Sequence, residues 1–337
     1  MSEQLAASFA PFWRHFAVRS FQIVLDWKTP VTLPSYKGSA IRGAVGFALR
    51  ALVCTEGSHE PCVRCRHRES CPYAILYESA VSPDERPSNL HDIPKPLVLV
   101  PPLTDQRDFI QSDTTIVTIV LTGNAIRLLP ALASAFALVG EKGIHEDNQG
   151  LFVVRRVVQL QPHDAPTLVW EDIHDPLAFF QSTSSNGLEL LPVEPLSDIP
   201  STLAGATALD LTFVTPLRIE ERGSLATNAP PFATLIARLC ERVDLLSRFY
   251  CGVALPDPTL LLEKARYVAT LNTTLAWYDW TRVSVRSGRQ QFGGLLGSVV
   301  YGGADLTPFI CFLHAGALLG IGKGTSMGMG RFTVALG

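Results

Sequence analysis

The sequence has no surplus of positive charge. Its 28 lysines and arginines stand against 31 aspartates and glutamates, for a formal net charge of −3. This excludes a chain-wide basic coat for nonspecific nucleic-acid binding, so an anionic polymer has to be met by a local patch. No uninterrupted apolar run reaches the ~18 residues that span a bilayer. The opening MSEQLAASFAPFWRHF lacks a charged stretch followed by a long apolar one, so no secretory leader is read there. These absences predict a cytoplasmic chain with no membrane partner. Its seven cysteines are then thiols or metal ligands in preference to disulfides.

What is present is ample core material: 47% of 337 residues are hydrophobic and 18% charged. That length favours two domains, and the chain carries one order of landmarks twice. The first half opens with FAVRSFQIVLDW (16–27), then TPV (29–31), a Gly-Ser pair (38–39) and SAIRGAVGFALRALVC. Ile41, Val45, Leu49 and Leu52 recur at helical spacing. The second half opens with ATALDLTFV (206–214), then TPL (215–217), Gly-Ser (223–224) and the helix PFATLIARLCERVDLLSRFY. Each helix carries Leu or Val just before a Cys, at 53–54 and 239–240.

The halves also end alike. Strand TTIVTIVLTG, helix AIRLLPALASAFALVG, turn EKGIHEDNQG and strand LFVVRRVVQL close the first. Strand FGGLLGSVVYGG, helix LTPFICFLHAGALLG, a glycine-rich segment and strand RFTVAL close the second. This order is that of a split β-α-β unit, so the predicted class is α+β with two tandem ferredoxin-like (RRM-like) domains. Their expected bounds are 1–165 and 206–337. Residues 166–205 read as a linker with room for one strand. Residues 54–113 read as an insertion holding cysteines and a proline-rich loop, DIPKPLVLVPP.

The second half's turn, GIGKGTSMGMGRF (320–332), places glycines at 320, 322, 324, 328 and 330, with Lys323, Thr325, Ser326 and Arg331 among them. Glycine reaches positive φ and admits close backbone approach, and successive amides in such a turn form an anion-binding concavity. Gly322, Lys323, Gly324, Thr325, Ser326 and Arg331 are therefore candidate RNA-backbone ligands. The alternative is a tight turn and nothing more. A nucleotide-binding P-loop fits poorly, because here a helix precedes the loop and a strand follows it. From 281 to 337 the bases are Arg282, Arg286, Arg289, Lys323 and Arg331 and the only acid is Asp305, so five minus one gives +4. Arg282, Arg286 and Arg289 recur at four- and three-residue intervals, which on a helix is one face. It is an RNA-binding face or a solvated one. Trp277, Tyr278 and Trp280 could stack on unpaired bases or fill a core.

The stretch LAWYDWTRVSVRSGRQQFGGLLGSVVYGGADLTPFICFLHAGALLGIGKGTSMGMGRF resembles the C-terminal part of CRISPR-associated precursor-crRNA endoribonucleases of the RAMP superfamily. LPSYKGSAIRGAVGFALRALVC, CVRCRHRESCPYAILYES, IPKPLVLVPP and PFATLIARLCERVDLLSRFYCG are similar to the subgroup with a cysteine insertion. The resemblance implies two ferredoxin-like domains that recognise a CRISPR repeat, often as a stem-loop. It implies one metal-independent cut 3′ of the stem, by 2′-OH attack on the adjacent phosphate. The crRNA product would be kept and delivered to other effector-complex subunits.

Two departures stand out. Similar proteins often have a His directly before the glycine loop, where this chain has Gly320, and the helix at 39–53 holds no His. The nearest substitutes are Tyr36, Lys37 and Arg42 at that helix's entrance, His314 before the glycine loop, and His15. A non-cleaving crRNA-binding subunit is the alternative function. A zinc-dependent structural protein without RNA is a third.

Cys54, Cys62, Cys65 and Cys71 fall within eighteen positions, with C-x2-C-x5-C at their centre. Four thiolates at this spacing suit a structural tetrahedral Zn, with His59 or His67 as substitute ligands. The alternative is free thiols packed under a loop. Arg64, Arg66, His67 and Arg68 make the knuckle basic. Cys240, Cys251 and Cys311 are expected in the core.

Overall fold

The computed structural model describes residues 2–56, 61–78, 93–145, 149–161, 165–186, 196, 203, 205–221, 223–284 and 288–337. They form two compact units, Val18–Val193 and Met1–Ala17 with Glu194–Gly337. Two short helices open the chain, α1 (Ser2–Ser8) and α2 (Ala10–His15). They were expected in the N-terminal domain but belong to the second unit. The reason is an aromatic cluster: the Phe9 and Trp13 rings lie 5.2 and 4.9 Å from that of Phe312.

The first unit starts with β1 (Val18–Trp27) and β2 (Val31–Thr32) and continues into α3 (Gly38–Val53). Ile41, Val45, Ala48 and Leu49 of α3 are buried, as their spacing predicts. Then come β3 (Leu97–Val100), β4 (Asp108–Phe109), β5 (Thr114–Thr122), α4 (Leu129–Lys142), β6 (Phe152–Leu160), β7 (Thr167–Ile173) and α5 (Pro176–Asn186). The sheet order is β3-β5-β1-β6-β7, with all neighbours antiparallel. Without β7 it is the ferredoxin-like order.

Two expectations change here. The proline-rich stretch read as loop contributes β3, all four residues of which are buried; Pro94, Pro96, Pro101 and Pro102 only bracket the strand. The stretch from 166, read as linker, adds β7 and α5, and the Trp170 and Phe179 rings meet at 5.0 Å. By length and composition, Gly123–Lys142 is apolar enough to cross a membrane. Eleven residues of α4 are instead buried in this unit's core.

The second unit continues with β8 (Ala208–Leu217), β9 (Glu220–Glu221), β10 (Ser224–Leu225), α6 (Phe232–Tyr250), α7 (Thr259–Ala265), β11 (Ala269–Thr273), β12 (Ala276–Ser284), β13 (Gly288–Gly302), α8 (Ile310–Leu319) and β14 (Phe332–Leu336). Its sheet order is β11-β13-β8-β14, with β12 also paired to β13. This again is the ferredoxin-like arrangement, so the chain is α+β with two tandem ferredoxin-like folds.

The duplication extends to single hydrogen bonds. Thr29 and Thr215, from the two Thr-Pro landmarks, each accept through Oγ1 from the amide just before the last core strand. The donors are Leu151 (2.9 Å) and Arg331 (2.8 Å). Helices α4 and α8 both end on a positive-φ glycine, Gly143 and Gly320, whose amide donates to the carbonyl four residues back at 2.8 Å. The next residue, Ile144 or Ile321, donates to Gly150 or Gly330, at 3.3 and 3.0 Å.

Candidate nucleic-acid interface

The glycine segment packs on the end of β8. Lys323 N–H donates to Arg218 O (2.7 Å) and Gly330 N–H to Pro216 O (3.0 Å). Its five glycines all have positive φ. A Cβ on Gly322 would lie 2.2 Å from Arg218 O, and one on Gly330 would lie 1.9 Å from Ile321 O. Only glycine fits where backbone meets backbone this closely. A single 3-10 turn, Thr325–Met327, sits between left-handed Gly324 and Gly328. Thr325 is buried, and Ser326 is half-buried.

The two cations of the segment differ. The Lys323 side chain is exposed and ion-paired with Glu220. Arg331 turns inward, donating from Nη1 to Leu318 O at 2.6 Å, and burial pushes its guanidinium down to about 10. Arg242 of α6, which the sequence reading missed, donates from Nη2 to Leu319 O at 3.1 Å and is likewise held at about 10 by burial. Its signal was available: a lone charge on the apolar stripe that contains Leu235, Leu239, Val243 and Leu246. Arg218 was missed too. Its guanidinium lies 4.7 Å from the Phe292 ring centroid and donates to Gly293 O.

The expected arginine helix is a hairpin. Arg282 lies on β12 opposite Gln290, and Arg289 lies on β13 opposite Val283. Arg286 falls outside the described residues. Helical spacing therefore does not define a shared face for the three. Trp277 and Tyr278 on β12 are partly exposed, whereas Trp280 is buried with its ring 5.1 Å from that of Phe292.

The expected acid–base candidates divide between the units. Tyr36, Lys37 and Arg42 belong to the first and His314 to the second. Tyr36 is buried, and desolvation pushes its hydroxyl well above the usual tyrosine range. Lys37 is 1% exposed and its ammonium donates to Thr104 O at 2.8 Å. Burial lowers its pKa, opposed by Asp105 and assisted by Arg107. Both side chains are withdrawn into the protein. Arg42 is half-buried, with its guanidinium 4.4 Å from the Tyr77 ring centroid. His314 on α8 is half-buried, and His15 is exposed.

Cys54 caps the C-terminus of α3, and Cys65 N–H donates to Cys62 O at 3.2 Å. Burial first, then Glu78, Cys71 and Cys54, raise the Cys62 thiol against the lowering effect of Arg50. Among the described residues no three His, Cys, Asp or Glu side chains are arranged to hold a metal ion. His59 lies outside them, and His67 sits 3.3 Å from Glu56. The basic knuckle is partly neutralised, since Arg66 pairs with Glu56 and Arg68 with Glu69. Cys240 and Cys311 are buried as expected, whereas Cys251 is only half-buried.

Residues 211–332 match the family model of the CRISPR-associated endoribonuclease Cas6. The similarity to Cas6 lies within the second unit. A second model, described as an N-terminal domain, matches residues 16–180. No curated protein matches the sequence. Among solved structures, a Cas6 product complex aligns with TM-score 0.56 at 15% identity, over 95% of this chain and 100% of that one. Cas6 of Thermus thermophilus gives 0.52 at 15%, over 95% and 99%. A partial Cas6-RT-Cas1–Cas2 complex gives 0.55 at 12%, over 96% of this chain and 46% of that one. At these identities the likeness is one of fold. The Cas6 match runs from β8 to the start of β14, and so takes in the hairpin, α8 and the glycine segment.

Proposed function

We propose that this chain is a Cas6-type endoribonuclease that binds CRISPR repeat RNA and cuts precursor crRNA once, without a catalytic metal. The observation that carries the reading is the Cas6 match over 211–332. In the proposed step the 2′-oxygen attacks the adjacent phosphorus and the 5′-oxygen leaves. One group takes the 2′ proton, another supplies a proton to the leaving oxygen, and cations stabilise the charge that develops on the phosphate oxygens. His314 is the proposed proton carrier. The glycine segment and the β12–β13 hairpin hold the RNA backbone, and Trp277 and Tyr278 offer ring faces to unpaired bases. The likeness to a Cas6-RT-Cas1–Cas2 assembly supports further CRISPR partners.

The test is labelled repeat RNA incubated with excess purified chain in EDTA. One cut leaving a cyclic phosphate end is expected. Tight binding without a cut would instead establish a non-cleaving crRNA-binding subunit. That second reading is favoured by Gly320 before the glycine loop, by the absence of His from α3, and by the burial of Tyr36 and Lys37. Neither binding nor cutting would sink both.

A structural zinc on Cys54, Cys62, Cys65 and Cys71 belongs to the proposal on spacing alone, and the ion would have to draw the thiols together. Elemental analysis of the purified chain and melting of Cys62→Ser check it. Zinc-free protein with unchanged melting would remove the metal from the account.

A further inference from the structure

We infer that Arg242 and Arg331 are positioning cations that reverse the sign of the C-terminal end of α8, and so let the glycine segment hold an RNA phosphate there. This inference rests on the RNA-binding reading above.

Helix N-termini attract anions and C-termini repel them, because the last carbonyls carry about half a negative charge. Helix α8 runs straight into the glycine segment at Gly320 and has no basic residue in its own last turn. A phosphate held by that segment would therefore face the unfavourable end of a helix. The last two carbonyls of α8 are the ones that receive guanidinium donors from elsewhere in the fold: Leu318 O from Arg331 and Leu319 O from Arg242.

Arg331 is not needed to build the turn. The first unit makes the equivalent turn, with the same glycine caps and the same threonine-to-amide bond, using Leu151 where the second has Arg331. Nor is either arginine neutralised by a neighbour. Among the described residues neither forms an ion pair with a carboxylate, and each has a buried Nε without a partner. Burial depresses the pKa of both, which is the signature of charge held where the fold alone does not favour it. The exposed cation of the segment, Lys323, is already paired with Glu220. The unspent positive charge thus lies beneath the segment and not on its surface.

Stability and RNA binding then respond in opposite directions. Burying a charge without a counter-ion is costly, and exchanging it for an apolar side chain of similar size removes that cost, which offsets the loss of one hydrogen bond. Arg331→Leu, which installs the first unit's residue, and Arg242→Met are compared with Arg331→Lys and Arg242→Lys. Melting temperature and affinity for labelled repeat RNA are measured on each full chain. The neutral variants should melt no lower than wild type yet bind about tenfold more weakly, as a charge lost several ångströms from a phosphate predicts. The lysine variants should keep most of the affinity.

Neutral variants that bind like wild type overturn the inference. So do neutral and lysine variants that lose affinity together, in step with falling melting temperature. If Arg242→Met does not fold, Arg331→Leu against Arg331→Lys decides by the same criteria. Wild type that binds no repeat RNA sinks the underlying reading instead, which separates the two failures.

Discussion

The turns at 143–152 and 320–332 begin and end alike in their described residues. Each starts on a glycine cap after the second helix, closes with an isoleucine amide on a positive-φ glycine, and enters the last core strand at a phenylalanine. Their chemistry is opposite. Residues 141–150 hold Glu141, Glu146 and Asp147 against Lys142, while 320–331 hold Lys323 and Arg331 and no acid. The first turn closes a core. The second adds backbone crowding and cations to the same closure. The difference teaches that here a function was laid on a turn the fold already makes, through a few side chains.

The largest expected effect comes from the helix before the turn. Six residues before its glycine cap, α8 carries His314 and α4 carries Ala137. His314→Ala writes the first unit's residue into the second. Single-turnover cutting should fall by about 10²-fold or more if the imidazole moves a proton, with RNA affinity unchanged. An unaltered cutting rate would take His314 out of the chemistry and leave the two turns differing only in binding.

Next in size is a comparison of glycines. Both Gly150 and Gly330 have positive φ, near 69° and 68°. A Cβ on Gly150 would meet Ile144 and Val31 side-chain carbons at 2.8 and 2.9 Å, whereas one on Gly330 would lie 1.9 Å from a backbone oxygen. Side chains can shift and a hydrogen-bonded backbone cannot. Gly330→Ala should therefore cost about 3 kcal/mol or more, and Gly150→Ala about 1–2 kcal/mol, in denaturant unfolding. Equal costs would mean that the second turn is no more crowded than the first.

Much of this comparison was legible in the sequence. The Thr-Pro pairs, the Gly-Ser pairs and the helical spacing of Ile41, Val45 and Leu49 sit in the same order in both halves. Local pattern is what fixes elements, so the two ferredoxin-like units followed. The role of the pairs was not legible: that Thr29 and Thr215 accept an amide more than 110 residues away is a tertiary fact. Proline hid β3, because Pro96 and Pro101 suggest loop unless the buried run between them is weighed. The arginines at 282, 286 and 289 were misread because three- and four-residue spacing fits a helix, although Ser287-Gly288 is a hairpin signal between them. Arg331 was read as an RNA-backbone ligand beside Lys323, and nothing in a sequence tells which way a side chain turns. Phe9 and Trp13 were assigned by chain position, while their partner Phe312 lies about 300 positions on.

The smallest effect is expected from the cation that the sequence made most conspicuous. Lys323 is exposed and already engaged by Glu220, so Lys323→Ala removes one charge and releases another. An exposed pair of this kind contributes little to stability, and melting should shift by no more than the equivalent of about 0.5 kcal/mol. RNA affinity should fall only a few-fold, and the slope of log affinity against log salt should flatten by about one unit if Lys323 meets a phosphate. Glu220→Gln separates pairing from contact. It frees the lysine and removes a carboxylate from the RNA path, so affinity should rise slightly. A Lys323→Ala loss larger than that of Arg331→Leu would invert the ranking. It would place the working charge on the surface of the turn instead of beneath it.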